Sequence, residues 1–126
     1  EGHKYSIFDL MGEEDKRAEN SFYVTNNIFK DYDCIIGPTM PVQAFKADKN
    51  TPNGWPKYDL FKWTPFTFPF NLTKHPASTV NCGFSLSGLP IGMQVIAPMY
   101  KDEVCFKVSE IIERNMNLLD KWPEKI

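Results

Sequence analysis

Covalent hydrolysis of an acyl bond needs a nucleophile, a group that takes its proton and donors that meet the oxyanion. Six serines can be weighed for the first role: Ser6, Ser21, Ser78, Ser85, Ser87 and Ser109. Ser85-Leu-Ser-Gly88 is the most suggestive stretch, yet polar residues followed by glycine make a tight turn, and that reading takes precedence. The histidines form no triad with them. His3 stands at one end of the chain, and His75 lies in the turn Thr73-Lys-His-Pro76, where a histidine beside a proline is read as structural. Two separated histidines do not make a metal site, so neither a metal nor another cofactor is expected. The acidic groups Glu13-Glu14-Asp15 and Asp102-Glu103 fit helix starts better than a positioned acid and base. Cys34, Cys82 and Cys105 have no CxxC spacing and each sits in an apolar segment, which reads as small buried hydrophobes in a reducing, cytoplasmic setting.

What the residues do offer is an apolar wall. Trp63, Phe66, Phe68 and Phe70 are dense enough to line a cleft, although packing into a core accounts for the same spacing equally well. Within this cluster Trp63 and Thr64 are the candidates for contact with a substrate. Asn71-Leu-Thr73 matches a glycosylation acceptor. It is read as coincidence in a turn, since nothing else in the sequence marks secretion.

Several elements must position these residues. From about Gly12 to Lys30 apolar residues recur with helical spacing, with Ala18, Phe22, Val24 or Thr25, and Ile28-Phe29 on one face. Cys34 to Gly37 is a short apolar run with β-branched residues, expected to be a strand buried on both faces and stopped by Pro38 and Pro41. Residues 42–62 carry loop signals, among them Asn50-Thr-Pro-Asn-Gly-Trp-Pro56. A short helix or turn is expected near Thr67 to Leu72, then a hairpin with strands Ser78 to Phe84 and Leu89 to Ala97 joined through Ser85 to Gly88. Lys101 to Met116 has the stripe of an amphipathic helix in Val104, Phe106, Val108, Ile111, Ile112 and Met116. Asp120 to Ile126 is expected to be an exposed tail.

The order is helix, strand, long loop, strand, strand, helix. Three such strands make a poor free-standing sheet, because they need helices on both faces and neighbours on each edge. Self-association of the chain alone is expected for the same reason, a homodimer being one outcome. With 42% hydrophobic and 24% charged residues the composition is that of a globular protein. A net charge of −2 gives no basic field for nucleic acid, and no apolar run approaches the roughly 20 residues needed to cross a bilayer. No membrane partner is expected either. The chain begins at Glu1 without a methionine and reads as a cut or processed piece.

The landmarks between Cys34 and Gln94 resemble the C-terminal signature of the amidase signature hydrolases. They are Cys34-Ile-Ile-Gly-Pro-Thr-Met-Pro41, Phe70-Asn-Leu-Thr73, Pro76-Ala77, Cys82-Gly83-Phe84 and Gly88-Leu-Pro-Ile-Gly-Met-Gln94, and the likeness extends from about Lys16 to Asn115. The resemblance implies an α/β fold, the C-terminal part of a large mixed β-sheet sandwiched between helices, with residues 1–126 forming a segment of an amidase domain that is incomplete without its N-terminal part. It also implies hydrolysis of a carboxamide C–N bond by a serine deprotonated through a second serine, in cis peptide linkage, and a lysine. That machinery belongs to a Gly/Ser-rich region upstream, and none of the six serines lies in a Gly-Gly-Ser-Ser-Gly type loop. No catalytic residue is therefore expected in this chain. The implied partners are the missing N-terminal part of the same protein and a small-molecule amide.

Two departures from the family pattern stand out, Lys74 in place of glycine and Asn81 in place of proline. If position 74 requires a positive φ, lysine there adds strain on the order of 1 kcal/mol. A third difference bears on substrate. Where the glutamine-hydrolysing component of the tRNA-dependent glutamine amidotransferase has an aspartate that reads the glutamine amino group, this chain aligns Thr64, which supplies no charge. The Trp63-Thr-Pro-Phe-Thr-Phe-Pro-Phe-Asn71 version is instead typical of general amidases. The alternative from another class is a non-catalytic α/β binding or interaction module derived from an amidase.

Overall fold

The computed structural model describes residues 2–55 and 62–118. The expected tail from Asp120, and the part of the long loop at 56–61, lie outside the described residues.

Helix α1 spans Ile7–Tyr23. It starts five residues before the expected point because Ser6 and Asp9 form a capping box: the Asp9 N–H donates to Ser6 Oγ (3.2 Å), and the Ser6 N–H to Asp9 Oδ2 (2.7 Å). At its far end the helix widens into a π-turn over Val24–Ile28, closed by the Phe29 N–H on the Val24 carbonyl. The expected apolar face is not a buried one. Ala18 and Phe22 are exposed, and no residue of α1 is buried, because no described element packs over that side. The helix is tied down through polar groups instead. Ser21 Oγ donates to the Thr73 carbonyl, and Thr25 Oγ1 shares a 3.2 Å hydrogen bond with His75 Nε2.

The sheet has three antiparallel strands in the order β1-β3-β2, with β1 at Ile35–Pro38, β2 at Ala77–Phe84 and β3 at Pro90–Ile96. The expected hairpin is β2 and β3. Its loop turns through Ser85 to Gly88, where Gly88 takes φ +80° and donates its N–H to the Ser85 carbonyl. A register shift between Asn81 and Gly83 leaves Cys82 as the extra residue of a bulge, and Asn81 Oδ1 accepts the Gly83 N–H at 3.0 Å. Asparagine in this position thus caps the bulge with its side chain.

Strand β3 lies in the middle, and Val95, Ile96 and Ala97 are fully buried. The short helix α2 spans Phe68–Thr73, and the long helix α3, Asp102–Met116, packs mainly on β2 and also on β3. Cys105 is the buried residue of α3, with the thiol directed at the Pro76 and Val95 carbonyls and its pKa raised chiefly by burial. Ser109 bonds Ser78 across the same interface at 2.8 Å. Val104, Val108 and Ile112 flank them half-buried, whereas Phe106 and Ile111, expected in the stripe, are exposed. Strand β1 also departs from expectation. It is an edge strand, and Ile36 is 52% exposed because α3 packs on the other two strands.

Helix α2 ends at Lys74, whose φ is 61°. His75 comes next, buried against the Phe29 ring, its Nδ1 2.9 Å from Thr73 Oγ1. Burial pushes its pKa below the ordinary value.

Two outcomes follow. Replacing Lys74→Gly relieves the left-handed backbone and raises stability by about 1 kcal/mol in urea denaturation; a loss of stability would refute the strain. For His75, the unfolded chain binds the proton more readily than the folded one. Its stabilising contribution is therefore complete above about pH 6.5 and declines as pH falls towards the lowered folded pKa. Denaturation midpoints measured from pH 7.5 to 4.5 should show this decline, and His75→Gln should flatten it.

Candidate functional site

Every serine hydroxyl is engaged in holding structure. Ser6 caps α1, Ser21 and the Ser78–Ser109 pair join elements, and Ser85 and Ser87 bond each other at 2.9 Å in the hairpin loop, Ser87 also donating to Gln43. None of these pairs includes a lysine or histidine. His75 spends both ring nitrogens on threonine hydroxyls. Among the described residues no three His, Cys, Asp or Glu side chains converge as metal ligands.

The aromatic segment is positioned by a buried amide. Gln94, in the middle of β3 and 4% exposed, donates its two Nε2 hydrogens to the Pro38 carbonyl (3.2 Å) and the Phe66 carbonyl (2.8 Å). One side chain thereby fastens the end of β1 and the loop before α2 to the central strand. Beyond Phe66 the chain turns into α2 through the Phe68 N–H on the Thr64 carbonyl. Before it, Trp63 is placed with its ring edge-on to Phe45, centroids 5.2 Å apart.

Trp63 and Phe45 border a cleft of about 450 Å³, with Met40, Thr39, Thr79 and Gly92 among its other walls. The base is tightly packed. A Cβ at Gly92 would stand 2.9 Å from Thr39 Oγ1 and 3.0 Å from Thr79 Cγ2, so only glycine lets these two side chains close over β3. Their hydroxyls lie 3.4 Å apart, and the Thr39 N–H donates to the Gly92 carbonyl. Trp63 Nε1 is buried and has no hydrogen-bond partner among the described residues.

Of the two expected contact residues, the structure brings Trp63 to this cleft. Thr64 is half-buried and is not among its walls. The other aromatics divide: Phe66 and Phe70 line a smaller groove of about 280 Å³ with Ile35, Gln94 and Ile96, and Phe68 lines neither. A larger concavity of about 990 Å³ runs beside the start of α1, lined only by residues between 2 and 16. It is the open side of an exposed apolar helix and holds no convergent polar groups beyond the helix cap. Phe45 and Gln94 were not among the residues expected from sequence. A single polar residue inside the apolar run of β3 was the available signal for Gln94, since buried amides must find partners.

The sequence model of the family described as Amidase matches residues 3–106. Among curated relatives, the chain is 34% identical over 97 residues to a glutamyl-tRNA(Gln) amidotransferase component, its A-type polypeptide, from Halothermothrix orenii, and 40% identical over 99 residues to the same component from Listeria monocytogenes. These alignments take in 77% of this chain but only 20% and 19% of the relatives, so it spans about a fifth of their length. Among solved structures, 6-aminohexanoate cyclic dimer hydrolase superposes with a TM-score of 0.81 at 19% identity, over 97% of this chain and 27% of that one. The corresponding amidotransferase component of Thermotoga maritima gives 0.68 at 35% identity, over 81% and 21%. The fold is that of amidase-signature enzymes.

If Gln94 fixes the Trp63 segment, Gln94→Met leaves two buried carbonyls without their donor. The expected loss is about 2–4 kcal/mol in a urea midpoint experiment on the protein. A loss below about 0.5 kcal/mol would show that the amide is not what holds the segment.

Proposed function

We propose, since this chain belongs to the amidase family, that it is the C-terminal part of an enzyme hydrolysing a linear carboxamide by a serine nucleophile located upstream and outside these 126 residues. In that chemistry the serine oxygen attacks the carbonyl carbon, the amine departs carrying a proton, and water releases the acid from the acyl-enzyme. The proton would pass through a second serine, in cis peptide linkage, to a lysine. The supporting observation is the engagement of all six serines of this chain in capping, turn or interface hydrogen bonds, alongside a family match over most of its length.

On this reading the chain supplies sheet strands, flanking helices and the Trp63 wall of the substrate cleft, with Thr64 beside it. Its apolar surfaces on α1 and β1 then face the remaining part of the same protein. The curated relatives act, by their names, on glutamyl-tRNA(Gln), and the superposed hydrolase on a cyclic amide dimer. Thr64 carries no charge with which to hold an α-amino group, which favours a simple amide over glutamine. The setting proposed is cytoplasmic; no described helix is long and apolar enough to cross a membrane.

The complete protein is expected to release amine or ammonia from a linear amide, and residues 1–126 alone to release none. Amide hydrolysis by the purified 126-residue chain, abolished by a Ser→Ala change within it, would overturn the proposal.

A further inference from the structure

The walls of the cleft beside Trp63 have a uniform chemistry. They come from Thr39 to Phe45, Trp63, Thr79 and Pro90 to Gly92, and none of these residues has an ionisable side chain. A carboxylate or ammonium entering would lose hydration and meet no counter-charge there, whereas an apolar group would displace water from Phe45, Trp63 and Ile91 at no such cost. The volume, about 450 Å³, is that of a site for a small organic group. One polar feature gives it direction. The Trp63 indole N–H is buried and unmatched among the described residues, and a buried donor gains when an acceptor is brought to it.

We propose that this cleft selects an uncharged, apolar amide, its hydrocarbon lying between Trp63 and Phe45 while an acceptor oxygen of the ligand receives the Trp63 Nε1 hydrogen. The inference rests on the amidase reading and adds the substrate class and a specificity-determining residue. Edge-on contact with Phe45 holds the indole at a fixed angle, so the donor is oriented before a ligand arrives. Thr39 and Thr79 are directed at each other over Gly92 and close the cleft base.

The test uses the complete protein and three ligands: 3-phenylpropanamide and its ring 4-carboxylate and 4-aminomethyl derivatives. Binding is followed by calorimetry and hydrolysis by amine release. The neutral amide is expected to bind at least about tenfold more tightly than either charged derivative. Trp63→Phe keeps the ring and removes the donor; it should weaken neutral-amide binding and raise KM about five- to tenfold, the measure of one hydrogen bond, with kcat within about twofold. Ala44→Lys, at an exposed position on the lip, should shift preference towards the carboxylate. Equal binding of charged and neutral ligands, or an unchanged KM and affinity in Trp63→Phe, would overturn the inference. Discrimination in binding without any hydrolysis would support the cleft assignment and contradict the amidase reading. Hydrolysis without discrimination would do the reverse.

Discussion

Gln94 is a polar side chain in a place where only a fully bonded one is tolerated. It sits on the central strand among Val95, Ile96 and Val80, buried to 4% exposure, and its amide nitrogen has water replaced by two backbone carbonyls. Those carbonyls belong to segments far apart in sequence, Pro38 at the end of β1 and Phe66 before α2. Without the amide, the long loop between them would have no fixed meeting point with the sheet. The position of Trp63, and hence the cleft, depends on it.

Cover over the sheet is uneven. Helix α3 lays Cys105 and Ser109 against β2 and β3, while the segment around Trp63 is fastened over the centre through Gln94. At the periphery, Ile36 on β1 and Ile7, Phe8, Leu10, Met11 and Phe22 on α1 remain open, more apolar surface than a monomeric domain ordinarily presents. Contact of α1 and its π-turn with the body runs through Ser21, Thr25 and His75, polar links of modest strength. This is what a portion of a larger layered fold looks like when its neighbours are absent, and it agrees with a match to about a fifth of the relatives' length.

Much of the architecture was legible. The hairpin followed from two β-rich runs around Ser85-Leu-Ser-Gly88, and α3 from its periodicity and its acidic first turn. The positive φ at Lys74 was legible through a departure from a family pattern. The start of α1 was not, because the capping pair Ser6 and Asp9 lies ahead of Gly12, a residue that weakens a helix, and the apolar spacing is regular only beyond it. Burial was harder to read. Phe22, Ile36, Phe106 and Ile111 have the chemistry of core residues, and the sequence pattern records where they belong in the complete fold rather than what covers them within these 126 residues. The site was legible only in part: Trp63 stood out by type, but Phe45 lies 18 positions away across a loop without periodicity, and no local signal couples the two.

Amide hydrogen exchange over α1, followed by mass spectrometry in the complete protein and in residues 1–126 alone, tests most directly whether this chain is a dependent portion of an amidase. The account predicts that Ile7–Tyr23 exchanges freely in the isolated chain and becomes strongly protected in the complete protein, with β1 changing in the same sense. Equal protection of α1 in both, together with a cooperative monomeric melt of the isolated chain, would contradict it.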